Sequence, residues 1–324
     1  MKVLIVGGAG FLGKRLASTI ATQGGLHMGQ VAQLTLVDLA FPEEMHKDGS
    51  FKCIEGDFSE ASVMQSLIEE KPDIIFHLAA VVSGEAEKNF ELGMRVNFQG
   101  SLQMLEMCRS RDYHPRIVFA SSCGVFGGDV KQTISHTTGP KPRSSYGTQK
   151  AMVELLMNDY SRRGFVDARS IRLPTISVRP GKPNAATSSF LSGIVREPLN
   201  GQKATYPVQE SAKFWLLSPK KVIQNFLHAA NIDAGKLGDD RMITLPGITV
   251  SVEEMLQSLE RIAGPKVAAL ASYEPDEFLQ SIVLTWPPYF DTSVAESLGF
   301  VKDNSVDELI LNYIQEEKIK LPNI

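Results

Sequence analysis

Cysteine is scarce in this chain. Cys53, Cys108 and Cys123 are three among 324 residues, an odd number without paired spacing. A disulfide framework is therefore not expected, and a reducing, cytoplasmic setting is. The six histidines are scattered, none in a His-x-x-x-His pattern or beside a cysteine pair, so no metal site is expected. There is no basic excess either. The 33 Lys and Arg face 37 Asp and Glu, a net charge of −4, which offers nucleic acid no electrostatic footprint. No apolar run approaches the ~20 residues of a membrane span. Lys2 stands before an apolar run, as in a targeting segment. That run contains four glycines and passes directly into Lys14-Arg15, so targeting is not expected.

What the chain does have begins at its second residue. Lys2-Val-Leu-Ile-Val6 is a short β-branched apolar run, which predicts a buried strand. Gly7-Gly8-Ala9-Gly10-Phe11-Leu12-Gly13 follows at once and fits both G-x-G-x-x-G and G-x-x-G-x-x-G. Leu12, Leu16 and Ile20 then recur at helical spacing. Strand, glycine turn and helix are the context of a dinucleotide fingerprint. Glycines let the backbone approach a pyrophosphate, and the helix N-terminus offers N–H groups and a positive dipole end. The second predicted strand, Gln33-Leu-Thr-Leu-Val37, stops at Asp38. A carboxylate there accepts both ribose hydroxyls and repels a 2′-phosphate. Leu39 and Ala40 supply no cation for such a phosphate. The expected cofactor is NAD in preference to NADP.

Tyr146-Gly-Thr-Gln-Lys150 is a Tyr-x-x-x-Lys pair, with Ser121-Ser122 upstream at the end of the apolar run Arg116-Ile-Val-Phe-Ala120. Positions i and i+4 share one helix face. Lowering a phenol from its usual pKa of ~10 to ~7 needs about 4 kcal/mol in favour of the phenolate. One ammonium at ~4.5 Å and an effective dielectric of ~20 supplies roughly 3.5 kcal/mol. Lys150 can therefore do most of the work of making Tyr146 a general base. Cys123 adjoins Ser122 without a partner base at a recognisable spacing, and reads as a small filler.

Strands and helices alternate along the first half. Further strands are predicted at Lys52-Cys-Ile-Glu55, Asp73-Ile-Ile-Phe76 and Ala168-Arg-Ser-Ile-Arg-Leu173. Helices are predicted from Ser59, as N-cap, to Glu70; over roughly Gly84 to Arg109; and from a Ser144 cap through Tyr146 and Lys150. The expected fold is a Rossmann-type, doubly wound parallel α/β sheet. Ligands of such a sheet lie beyond the carboxyl ends of its strands. Asp38, Ala79-Ala80, Ser121-Ser122 and Pro174-Thr175 all stand there.

From Pro174 onward the alternation breaks down. Helices are expected at Ala186–Leu199, from Ser218-Pro219 to Ala230, Ser251–Ala263, Glu274–Ile282, Thr292–Leu298 and Ser305–Glu316, with one strand at Lys203–Val208. The expected division is a cofactor domain of residues 1–173 and about 212–245. A smaller, mostly helical substrate domain takes about 174–211 and 246–324. Trp286-Pro-Pro-Tyr289 is expected to pack that domain.

Taken together, Gly7 to Gly13, Asp38, Asp57, His77-Leu-Ala-Ala80, Asn97, Ser121-Ser122 and Tyr146-Gly-Thr-Gln-Lys150 resemble the extended short-chain dehydrogenases/reductases, the NAD-dependent epimerase/dehydratase group, over nearly the whole chain. The resemblance implies Tyr146 as acid/base, Lys150 lowering its pKa and binding the nicotinamide ribose, and Ser122 holding the substrate hydroxyl. It implies Asp57 on the adenine with Phe58 beside it. Gly7, Gly10, Phe11, Leu12, Gly13, Leu78, Ala79, Ala80, Asn97, Pro174 and Thr175 complete the implied cofactor site. Family members often pair through the helices at Gly84–Arg109 and Tyr146–Arg163, which implies a homodimer. Gly124 stands where nucleotide-sugar epimerases often carry a hydroxyl residue, which counts against a nucleotide-sugar substrate.

A narrower resemblance, to the D-erythronate dehydrogenase branch, rests on Ser83-Gly-Glu-Ala-Glu87, Ser161-Arg-Arg-Gly-Phe165 and Arg172 to Asn184. It implies a small sugar acid oxidised at C2, with Ser83, Ser122, Cys123, Tyr146, Arg179 and Asn184 against the substrate. A nucleotide-sugar epimerase, a threonine 3-dehydrogenase-like enzyme and a non-catalytic NAD sensor are the alternatives.

Overall fold

The computed structural model describes residues 1–27, 29–128, 132–181 and 186–321. Its seven-stranded sheet is built from β1 (Lys2–Val6), β2 (Gln33–Asp38), β3 (Lys52–Glu55), β4 (Ile74–His77), β5 (Arg116–Ser122), β6 (Asp167–Leu173) and β7 (Met242–Thr244). The strand order is β7-β6-β5-β4-β1-β2-β3. β1 pairs in parallel with β2 and β4, β2 with β3, and β4 with β5. The chain winds outward from β1 to β3, then crosses back to β4. The order reverses between β1 and β4, so the ligand crevice of a doubly wound sheet lies beyond their carboxyl ends. Gly7 follows one of them and Leu78 the other.

The apolar runs that predict these strands are buried on both faces, as helix-covered parallel strands must be. Val3 to Val6, Ile74 to Phe76 and Ile117 to Phe119 are at most 2% exposed. The helices covering this sheet include α1 (Phe11–Gln23), α2 (Ala61–Glu69), α3 (Ser83–Lys88), α4 (Phe90–Gly93), α5 (Gly100–Ser110), α6 (Ser145–Arg162) and α7 (Pro219–Asn231).

Two local expectations are corrected. Ser59 does not cap the helix after β3. That helix starts at Ala61, with Glu60 as N-cap, and Ser59 turns its hydroxyl to Asp57 instead. The single helix expected over Gly84 to Arg109 is broken into α3, α4, a π-helical segment at Met94–Gln99, and α5. A π segment fits one more residue into the turn and re-aims the side chains around it. Here it carries Asn97.

Two compact units are distinguished. The first comprises residues 1–122, 144–172 and 223–243. The second comprises 123–143, 173–222 and 244–324. Residues 123–143 and 212–222 thus fall in the second unit, although sequence alternation assigns them to the first. The reason is long-range pairing. β8 (Lys213–Leu217) lies between an antiparallel strand, β9 (Ile248–Ser251), and a parallel one, β10 (Thr175–Ile176). Ile134 bridges to Phe290, and Phe290 stacks on Trp215 at 5.0 Å.

The core of the second unit joins Phe214, Leu216, Val250, Met255, Leu259, Leu309 and Tyr313. Its helices include Phe190–Leu199, Val252–Ala263, Glu277–Val283 and Val306–Glu316, and a small sheet pairs Ala204–Tyr206 with Ala271–Tyr273. The strands at Ile248 and Ala271 are additions to the expected helical pattern. The Trp286–Tyr289 segment packs, as expected. Thr249 Oγ1 donates to the Pro288 carbonyl at 2.7 Å, and Ile134 N to that of Tyr289 at 2.9 Å.

Candidate active site

The glycine turn is shaped by what lies against it. Gly7 has φ +89°, and a Cβ there would sit 2.7 Å from Ala79 N, because the Leu78-Ala79 backbone donates to the Val6 carbonyl at 2.8 and 2.9 Å. A Cβ on Gly13 would lie 2.2 Å from the Gly7 carbonyl oxygen. Both positions exclude a side chain and press turn, helix and strand together. Helix α1 begins at Phe11 with Gly10 as N-cap, no side-chain cap bond, and no acidic residue in the first turn. Its own charges leave the positive end suited to an anion.

Asp38 closes the same corner. One carboxylate oxygen accepts Ala9 N–H at 2.9 Å, and the other accepts Leu39 N–H at 2.8 Å. The glycine turn thus orients the very carboxylate expected to read the ribose. Asp57 is fixed as firmly. It accepts Ser59 N–H at 2.9 Å, Ser59 Oγ–H at 2.6 Å and the Arg95 guanidinium at 2.7 Å. Burial works against its charge, but these bonds prevail and hold its pKa below the usual carboxylate value. Phe58 is buried beside it and packs edge-on against His77 at 5.1 Å. His77 is neutral, its pKa pushed down to about 3 by burial and then by the Lys150 charge. These residues fit a dinucleotide: a backbone cradle for a pyrophosphate, then acidic groups along the adenosine half.

Asn97, expected in the cofactor site, is held by bonds to Val81 and Gln149. Its amide oxygen accepts Val81 N–H at 2.8 Å, and its nitrogen donates to the Val81 carbonyl at 3.0 Å and to Gln149 Oε1 at 2.7 Å. It staples the loop after β4 to the helix that carries Tyr146. Ser83 opens α3, whose Glu87 accepts the N–H of Ser145 at 2.9 Å. Ser144 caps α6 as expected, accepting Gly147 N–H at 3.1 Å.

Lys150 is 2% exposed. Its ammonium donates to the Ala120 carbonyl at 2.8 Å, 5.6 Å from the Tyr146 ring centre and 4.6 Å from that of Phe119. Burial pushes its pKa down to about 7, opposed by the charge of Glu154. The two serines at the end of β5 diverge, as alternation along a strand requires. Ser121 is buried and donates to Glu154 at 2.5 Å, while Ser122 is half-buried at the strand end. Sequence reasoning missed Glu154, which is fully buried and bound by Arg172 through two bonds of 2.9 and 2.8 Å. Its place one helical turn beyond Lys150 is a readable signal. Its partner on β6 is not.

The remaining predicted residues belong to the second unit. Cys123 opens a 3₁₀ turn, Pro174 is buried, and Thr175 lies in β10 opposite Leu216. Arg179 donates from Nε to the Ile176 carbonyl at 3.1 Å, and its backbone is held by Ser192 and Arg196. Asn184 lies outside the described residues. Among the described residues no group of His, Cys, Asp or Glu could hold a metal, and no helix is long and apolar enough to cross a membrane.

A glycine turn beside a strand-end carboxylate, with a buried lysine beside a tyrosine on a doubly wound sheet, makes a candidate site for a nucleotide-dependent oxidoreductase. The sequence pattern of the NAD dependent epimerase/dehydratase family matches residues 3–235, and the chain belongs to that family. It is 45% identical over 320 residues to a D-erythronate dehydrogenase of Cupriavidus necator, covering 98% of each chain. It is 44% identical to one of Haemophilus influenzae, covering 97% of this chain and 99% of that one. Among solved structures, a nucleoside-diphosphate-sugar epimerase from Agrobacterium tumefaciens superposes with TM-score 0.94 at 40% identity, over 99% of this chain and 96% of that one. A monomeric L-threonine 3-dehydrogenase, 23% identical with TM-score 0.84, shares the fold.

Proposed function

We propose that the protein oxidises a small sugar acid with NAD, D-erythronate to 2-dehydro-D-erythronate. The observation that carries this reading is the buried Lys150 beside Tyr146, in a chain 44 to 45% identical to enzymes of that name along nearly its whole length. Tyr146, as phenolate, takes the proton of the C2 hydroxyl. The Lys150 ammonium holds the phenolate charge in place and reaches the cofactor ribose. Ser122 donates to the same oxygen as it becomes a carbonyl. Bound NAD supplies the hydride acceptor. On the substrate side, Ser83 donates to a hydroxyl, and Arg179 and Asn184 take the carboxylate, with Cys123 lining the site.

Asp38 selects NAD over NADP, because its carboxylate, held by two backbone N–H groups, suits ribose hydroxyls and repels a 2′-phosphate. The first unit carries most of the proposed cofactor contacts. The protein works in the cytoplasm as a homodimer, paired through the helices that carry the exposed Phe90 and Leu155, 58% and 57% accessible. A monomer by light scattering would remove the dimer.

A screen of C3 to C6 aldonic acids for NADH formation tests the activity, and a lack of turnover with D-erythronate overturns the substrate. The high similarity to a protein described as a nucleoside-diphosphate-sugar epimerase supports a second reading, epimerisation of a nucleotide sugar. That reaction releases no net NADH, so one absorbance trace separates the two.

A further inference from the structure

Strand β5 holds three consecutive residues that each serve the centre differently. The Ala120 carbonyl receives Lys150, Ser121 donates to Glu154, and Ser122 ends the strand. Glu154 lies on the same helix as Tyr146 and Lys150, four residues beyond the lysine, and is fully buried. Arg172 grips both of its oxygens from β6, and Arg172 in turn donates to Met242 Sδ on β7 at 3.4 Å. A buried ion pair of this kind is costly to desolvate and adds little stability compared with apolar residues of the same size. Its position beside a buried lysine gives it another use.

We propose that Glu154, clamped by Arg172 and Ser121, is a positioning residue that keeps Lys150 charged, so that the negative charge of the centre resides on Tyr146. The inference rests on the Tyr146 acid/base reading. Two arrangements of the pair have equal net charge: phenolate with ammonium, and phenol with amine. Only the first can act as a base. Burial favours the second, and Glu154 favours the first, because along the helix it stands four residues from Lys150 and eight from Tyr146.

Tyr146 and Glu154 share the helix of Lys150, His77 faces Lys150 from β4, and Arg172 reaches Glu154 from β6. Ala120 and Phe119 touch Lys150 without charge. His77 is neutral above about pH 3, so among the described residues Glu154 acts on Lys150 and Arg172 stands behind Glu154. Their signs oppose, which sets the test.

A unit charge one helical turn away, about 6 Å, moves such a titration by roughly one to two pH units. Lysine carrying ¹³C at Cε would be titrated by NMR in the full chain, the Lys150 signal being identified by its loss in Lys150→Met. Glu154→Gln keeps the shape and the Ser121 bond. It should lower the Lys150 midpoint by at least one unit and reduce turnover about tenfold near neutral pH, with the KM for NAD unchanged. Arg172→Met should raise the midpoint. The double variant should return it towards the wild-type value, and serves with Glu154→Gln alone if Arg172→Met does not fold. A midpoint that stays within 0.3 unit in Glu154→Gln, or that moves the same way in both single variants, overturns the proposal. The titration needs no substrate. A protein inactive on every sugar acid but with the predicted midpoints would refute the proposed activity and leave this inference standing.

Discussion

The cradle for the nucleotide and the tyrosine–lysine centre lie in the same unit but are built by opposite means. The cradle is made of backbone. Gly7 and Gly13 exclude side chains, and Asp38 is held by two N–H groups. The centre is made of buried charge: a lysine at 2% exposure, a glutamate at 0% and an arginine at 2%. Backbone geometry is fixed by local sequence and tolerates no added atom. Buried charge is fixed by partners far along the chain, and is held at a cost in stability. The first region should therefore fail by steric intrusion, and the second by changes of protonation.

The largest contrast is expected from Tyr146→Phe. Turnover should fall by about a thousandfold, the usual range for losing a general base, with NADH binding by fluorescence unchanged. Comparable turnover in the variant would break the assignment. Gly13→Ala should do the reverse, since its Cβ would meet a carbonyl oxygen at 2.2 Å. Nucleotide binding and thermal stability should both fall, and a variant that binds NAD normally would show that the cradle can yield.

Asp38→Ala should lower the NAD-to-NADP preference by about tenfold or more, on the scale of one or two lost charge-assisted hydrogen bonds. An unchanged ratio removes its role. Lys150→Met sharpens the comparison through stability. With its pKa near 7 in the folded chain and at its usual 10.5 when unfolded, Lys150 makes the folded state bind fewer protons between those values. Stability contributed by this group therefore rises with pH across that window and is lowest below pH 7. Without cofactor, Lys150→Met should melt several degrees higher than wild type at pH 6 to 7, with the difference shrinking towards pH 10. Equal melting temperatures at pH 6 would mean that the buried lysine carries no such cost.

The cradle was nearly all legible in the sequence, because each part is local: an apolar run, a glycine spacing, and a carboxylate at a strand end. Tyr146 and Lys150 were legible through helical spacing, and the Ser144 cap through its neighbours. The Glu154–Arg172 pair was not, because its partners are 18 residues apart on different elements. The π segment at Met94–Gln99 also escaped notice, since an extra residue in a turn leaves the apolar pattern almost unchanged. Residues 123–143 read as part of the first unit because they follow β5 directly. The contacts of Phe126 and Ile134 with the Tyr289–Asp291 segment show where they belong.

Tyrosine-based, net oxidation of a sugar acid by NAD releases NADH. Its most direct test is the absorbance of NADH when the protein is mixed with NAD and D-erythronate, with Tyr146→Phe alongside. One NADH should form per sugar acid oxidised, about a thousandfold more slowly in the variant. No NADH with any aldonic acid, together with interconversion of a nucleotide sugar at constant NAD, would contradict it.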